Sequence, residues 1–229
     1  STPGRNVYLA GEIKKAVTIP VIAVGRIGPE LGERLLQEEK ADYVAMGRAL
    51  IADPELPNKV ASGRLEDIRP CVGCLECLDR IMFRDEVMQC VVNPAAGRER
   101  EYDISPAEKK KKVMVVGGGP AGMEAAKVAA LRGHQVVLYE RGNKLGGQLI
   151  LAAKPPYKSH YNELTTYLET QIRKLGVKIE LEKEVTSTLI DEIKPEAVVL
   201  ATGIIPFIPE IPGIDKAKVV IAEDVLAGK

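Results

Sequence analysis

The chain contains four cysteines, Cys71, Cys74, Cys77 and Cys90, and all fall within one short segment with the spacing C-x2-C-x2-C-x12-C. Four thiols delivered by one stretch of backbone can converge on a single metal centre, because thiolate sulfur binds both zinc and iron–sulfur clusters. Zinc sites ordinarily draw on two separated C-x2-4-C pairs, or on cysteines combined with histidines. A C-x2-C-x2-C run with a distant fourth cysteine instead matches [4Fe–4S] ligation. The spacing therefore favours a [4Fe–4S] centre held by Cys71, Cys74, Cys77 and Cys90, with structural zinc as the alternative. The two histidines, His134 and His160, lie outside the segment and read as surface or packing residues.

A second chemistry begins at Val113, where the apolar run V-M-V-V is followed by Gly117-Gly118-Gly119-Pro120-Ala121-Gly122. This is G-x-G-x-x-G directly after a predicted strand and before an alanine-rich helix, the arrangement of a dinucleotide site. Gly117 supplies a tight turn, Gly119 admits a pyrophosphate, and Gly122 lets helix and strand pack closely. A second predicted strand, residues 135–139, ends at Glu140, whose carboxylate would accept hydrogen bonds from the adenosine ribose. An acid there disfavours a 2′-phosphate, which leaves FAD or NAD. The later runs Leu145-Gly146-Gly147-Gln148-Leu149 and Ala201-Thr202-Gly203 tip the choice to FAD.

A third candidate site is a repeat. V-I-A-V-G-R at 21–26 returns as Y-V-A-M-G-R at 43–48, one βα unit later. Glycine at a strand's carboxyl end lets backbone N–H groups approach an anion, and arginine adds a fork-shaped positive charge. The last two such loops of a (β/α)8 barrel commonly hold a phosphate, which makes Gly25, Arg26, Gly47 and Arg48 phosphate candidates. Two ordinary βα turns are the plain alternative.

The elements that must position these residues follow from periodicity. Residues 7–16 read as a helix with Val7, Leu9, Ile13 and Ala16 on one face. Residues 18–24 read as a strand buried on both faces, 29–39 as a helix and 42–46 as a short strand. The three leading cysteines are expected in a loop, with Gly73 as its turn and a short helix over 78–87. Beyond the glycine fingerprint, 160–175 reads as an amphipathic helix closed by Gly176, 177–182 as a half-buried strand, and 197–200 as a buried one. The prolines at 206, 209 and 212 imply an extended connector.

Composition limits the rest. Lys plus Arg and Asp plus Glu balance at 32 each, so no net field attracts nucleic acid or an anionic membrane surface. The run Lys109 to Lys112 reads as a solvated linker. No apolar run approaches the roughly 18 residues that span a bilayer, and the opening residues do not read as a signal peptide, so the expected location is the reducing cytoplasm. The expected class is α/β. The last βα units of a TIM barrel (1–69) lead to a four-cysteine cluster segment (70–105) and a Rossmann-like FAD-binding domain (106–229).

The order of barrel end, C-x2-C-x2-C-x12-C, V-V-G-G-G-P-A-G-M-E-A-A, Y-E, L-G-G-Q-L and A-T-G resembles the iron–sulfur flavoprotein branch of the old yellow enzyme group. That branch includes 2,4-dienoyl-CoA reductase, enoate reductase and trimethylamine dehydrogenase, and the cysteine spacing is most similar to the last. The resemblance implies FMN held at its phosphate end by Gly25, Arg26, Gly47 and Arg48. It implies FAD, or ADP at the same site, among Gly117, Gly119, Gly122, Glu140, Gly147, Gln148 and Gly203. Electrons would pass from NAD(P)H through FAD and the cluster to FMN, which reduces an activated C=C bond of a small-molecule substrate. An amine dehydrogenase with reverse electron flow is the alternative within the branch. A non-catalytic nucleotide-binding module with structural zinc, or a subunit that completes its folds in an oligomer, are the alternatives outside it. The resemblance also implies an internal fragment, with substrate residues on six further barrel strands and NAD(P)H on a further domain. No catalytic residue is therefore assigned.

Overall fold

The computed structural model describes residues 2–216 and 218–228, and the chain divides between Asp103 and Ile104 into two compact units. In the first unit, α1 (Val7–Ala16) leads to β1 (Ile22–Val24), α2 (Pro29–Gln37) and β2 (Tyr43–Ala45). The strands pair in parallel, with Ile22 opposite Tyr43 and Val24 opposite Ala45. Gly28 caps α2 in an extended conformation with Pro29 in its first turn, where a missing N–H costs nothing. The strand begins later than its apolar run suggests, because Pro20 has no N–H to give to a ladder.

Burial here departs from expectation. Ala23, Ile27, Leu35 and Ala41 form the core, and Val7, Ala10, Leu31, Val44 and Met46 pack against it. Leu9 and Ile13, expected to share a buried face with Val7, are 46% and 53% exposed. A core this narrow engages α1 through Val7 and Ala10 alone, one turn apart on the stripe that meets β1. Ile22 and Val24 are likewise exposed, so β1 is covered on one face and not on both.

After β2 the chain forms α3 (Gly47–Ala52), α4 (Leu56–Ala61), a single 3-10 turn at Leu65–Asp67, and α5 (Glu76–Phe83). The expected helix over 78–87 thus lies earlier, and Cys77 stands on it instead of in a loop.

The second unit is a four-stranded, wholly parallel sheet of β3 (Lys112–Val116), β4 (Gln135–Tyr139), β5 (Lys178–Glu180) and β6 (Ala197–Leu200), in the order β5-β4-β3-β6. Between the strands run α6 (Pro120–Leu131), α7 (Leu149–Ala152), α8 (His160–Lys174) and α9 (Ser187–Ile193), and α10 (Ala222–Ala227) follows. Met114, Val115, Met123, Leu138 and Ile172 are its largest fully buried side chains. Burying each such side chain contributes roughly 1.5–3 kcal/mol. β6 was expected to be buried, yet Val198 and Leu200 are exposed, because β6 forms an edge of the described sheet and alternates its faces. The topology is Rossmann-like, and β3 and β6 flank the point where strand order reverses. Ligands of such sheets bind there, beyond the carboxyl ends of the strands. Among the described residues no helix is long and apolar enough to cross a membrane.

Candidate functional site

The glycine loop after β3 is built by backbone pressed against backbone. Gly117 has φ +111, and a Cβ on it would stand 2.2 Å from the Ala201 carbonyl oxygen. A Cβ on Gly122 would stand 1.8 Å from the Gly117 carbonyl oxygen, so α6 can begin against the turn only with glycine there. Gly119, the residue before α6, has only the Gly147 Cα near the same position, at 3.9 Å. Its side of the loop therefore leaves room for an approaching anion.

Glu140 is engaged on both oxygens. The Gly118 N–H donates to Oε2 at 2.7 Å and the Gly142 N–H donates to Oε1 at 2.7 Å. The carboxylate ties the glycine loop to the end of β4 and keeps lone pairs on both oxygens for ribose hydroxyls. Gly118 escaped the sequence reading as a variable position of the fingerprint. A Cβ there would meet Leu145 Cδ2 at 2.5 Å and the Glu140 carboxylate at 3.0 Å. Its signal was an unrequired glycine between two required ones.

The 145–148 run closes over this loop. The Gly146 N–H donates to the Gly118 carbonyl at 2.9 Å, and a Cβ on Gly147 would stand 2.9 Å from the Gly119 Cα. Gln148 reaches Glu223 at 3.4 Å. Gly203 follows β6 with φ +81 and open space around it.

In the first unit, Cys77 is buried, Cys71 and Cys90 are half-buried, and Cys74 is exposed. Left-handed backbone at Gly73 (φ +64) and Leu75 (φ +67) coils the approach to α5, and Cys77 follows in its first turn. Burial pushes the Cys77 thiol up, against a lowering contribution from the Leu78 N–H, and charge on Cys90, Cys71 and Cys74 adds to the rise. Cys71, Cys74 and Cys90 are thus electrostatic neighbours of Cys77. No group of three or more His, Cys, Asp or Glu side chains among the described residues is gathered tightly enough to hold a metal ion. The donor chemistry nevertheless fits a thiolate-bound cationic centre. Three cysteines around a buried fourth would repel as thiolates, and a metal that neutralises them would remove that repulsion. His134 accepts from the Lys111 N–H and His160 stacks on Tyr161, both in the second unit.

Two residues to which the sequence assigned no site role pin this segment. Asp53, 3% exposed, accepts from the Arg69 N–H at 2.7 Å, the Glu55 N–H at 3.1 Å and Lys59 Nζ at 2.6 Å. Asn93, 5% exposed, donates through Nδ2 to the Ile51 carbonyl at 2.9 Å. Entry and exit of the cysteine segment are therefore both fastened to the end of α3. Asp53→Ala, which leaves buried donors and Lys59 unpaired, is expected to destabilise the protein by about 3 kcal/mol. Urea unfolding followed by circular dichroism measures it, and a loss below about 1 kcal/mol would contradict the pinning.

The two Gly-Arg pairs end neighbouring parallel strands and so lie at the same end of the β1–β2 pair. Gly25 (φ +136) and Gly47 face open space, and Arg48 lies in the first turn of α3. Arg26 holds a left-handed backbone, φ +51. Its guanidinium lies against the cysteine segment, with Cζ and Nη2 each 3.6 Å from where a Cβ on Gly73 would stand.

Residues 111–227 match the pyridine nucleotide-disulphide oxidoreductase family, and residues 5–67 match the NADH:flavin oxidoreductase / NADH oxidase family. The chain is 49% identical to a metal reductase of Desulforamulus reducens, covering 99% of this chain and 35% of that protein. It is 48% identical to an NADH oxidase of Thermoanaerobacter brockii, covering 99% and 36%. Among solved structures, a 2-naphthoyl-CoA reductase in complex with 2-naphthoyl-CoA superposes with a TM-score of 0.95 at 41% identity, covering 100% of this chain and 35% of that one. The chain spans about a third of the length of the curated relatives it matches.

Proposed function

This chain belongs to the NADH:flavin oxidoreductases of the old yellow enzyme group that also carry a pyridine nucleotide-disulphide oxidoreductase domain, and on that footing we propose that it is their electron-transfer portion. The observation that carries this reading is that Cys71, Cys74 and Cys90 all lie within electrostatic reach of a buried Cys77. Cys71, Cys74, Cys77 and Cys90 would hold a [4Fe–4S] cluster in a segment over 70–105. Gly25, Arg26, Gly47 and Arg48, in a barrel portion over 1–69, would hold the phosphate end of FMN. Gly117, Gly119, Gly122, Glu140, Gly147, Gln148 and Gly203, in a domain over 106–229, would hold FAD, or ADP at the same site.

Bound, these groups supply one- and two-electron transfer between NAD(P)H and an activated C=C bond. The chain's own residues supply position and field. Glu140 orients a ribose, the glycine loop admits a diphosphate at close range, and the pinned segment fixes the spacing of the thiols. NAD(P)H would bind on a further domain and the substrate in a completed barrel, in a cytoplasmic, reducing setting. The names of the relatives, two reductases and an NADH oxidase, support this direction of electron flow.

Anaerobic purification followed by iron and sulfide assay, with mass identification of acid-released cofactor, tests the reading. The expected result is about four irons per chain, matching sulfide, and a flavin. A colourless protein loaded with zinc would overturn it.

A further inference from the structure

Arg26 ends the first strand–Gly–Arg unit, where the sequence suggests a phosphate ligand, yet its side chain also serves a different neighbour. The guanidinium carbon and one terminal nitrogen lie 3.6 Å from the position of a Gly73 Cβ, and the other terminal nitrogen lies 3.9 Å from it. Three atoms of a planar group at nearly one distance mean that the guanidinium presents its face to Gly73. Gly73 sits between Cys71 and Cys74, in the tightest part of the thiol segment.

Two unusual backbone conformations produce this contact. Arg26 adopts φ +51, which a branched-off side chain rarely tolerates, and the turn directs the guanidinium toward the segment. Gly73 adopts φ +64 and carries no side chain, so nothing intervenes between the guanidinium and the loop backbone. An arginine held against a glycine between two cysteines places a permanently charged group on the backbone of the cysteine segment.

We propose that Arg26 is a positioning residue of the cysteine centre, and that its positive charge raises the centre's reduction potential. The inference rests on the [4Fe–4S] reading above. Each electron accepted makes a thiolate-ligated cluster more negative, so a nearby cation stabilises the reduced form more than the oxidised one. Removing that cation lowers the ratio of reduced to oxidised centre at a given potential. The expected change is roughly tenfold, or about 59 mV for a one-electron couple.

The experiment is a redox titration monitored by electron paramagnetic resonance on anaerobically purified holoprotein. It compares wild type, Arg26→Gln and Arg26→Lys, with iron, sulfide and flavin content measured in parallel. A downward shift of about tenfold in Arg26→Gln at unchanged iron content, with most of the potential restored in Arg26→Lys, supports the proposal. If Arg26→Gln fails to retain the cluster, retention by Arg26→Lys at a near-native potential supports it equally. Loss of the cluster from both variants overturns it, because packing would then matter and not charge. Loss of FMN with an unmoved cluster potential overturns it too, and leaves Arg26 as a phosphate ligand alone. A wild-type protein without iron would defeat the [4Fe–4S] reading first and this inference with it, whereas an unshifted potential in an iron-loaded variant defeats only the inference.

Discussion

Gly122→Ala is expected to destabilise the second unit by about 3 kcal/mol and to abolish nucleotide retention. The added methyl would stand 1.8 Å from the Gly117 carbonyl oxygen. Neither atom can swing aside, since one is fixed to α6 and the other belongs to a turn that is itself pressed on Ala201. Relief requires α6 to retreat from β3, which costs at the upper end of overpacking penalties and opens the loop that a pyrophosphate would enter. For a chain of this size the unfolding midpoint should fall by roughly 6–12 °C. Gly203→Ala is the internal control. Gly203 has positive φ, at +81, which Gly122 has not, and no atom stands within 4 Å of an added Cβ there. It should cost only the conformational penalty, about 1–2 kcal/mol. Differential scanning calorimetry with nucleotide release measures both. Equal costs at the two positions would refute the close-packing account.

Cys77→Ser is expected to strip the cysteine centre while leaving the chain folded. Serine keeps the size of the side chain, and burial of one hydroxyl in place of a thiol costs on the order of 1–2 kcal/mol. It does not supply a soft thiolate, which is the donor that iron–sulfur clusters select. The loss of iron affinity should exceed the roughly 10–100-fold that removal of a mere outer-shell partner causes. Cys74→Ser, at an exposed position, should lose iron similarly with less change in stability. Long-wavelength absorbance and iron content give the answer. Retention of a full iron complement by Cys77→Ser would remove Cys77 from the ligand set.

The strands were legible because buried parallel β-structure is written as short runs rich in β-branched residues. V-M-V-V before Gly117 and Q-V-V-L-Y before Glu140 fall where β3 and β4 lie. The helix at Val7–Ala16 also stands at its expected bounds. Burial was less legible, because periodicity tells which residues share a face and not how wide a surface that face will meet. Leu9, Ile22 and Leu200 are apolar and exposed for that reason. Least legible were the contacts that arrange the candidate site. Asp53 to Arg69 spans 16 residues, Glu140 to Gly118 spans 22, and Asn93 to Ile51 spans 42. Nothing in local pattern encodes such pairs. Leu75 hid the start of α5 for a related reason, since a left-handed leucine before a helix has no signature in residue type.

The fastening of residues 69 and 93 to the end of α3 makes the excursion between them a cassette. Its two ends are held near Ile51 and Asp53 whatever lies between. The entropy of closing the loop is borne by contacts outside it, and each doubling of loop length adds only about 0.6 kcal/mol. A change in the length of the interval between Cys77 and Cys90 thus leaves both fastened ends in place. The shorter intervals among Cys71, Cys74 and Cys77 have no such freedom, since two left-handed residues and the first turn of α5 fill them.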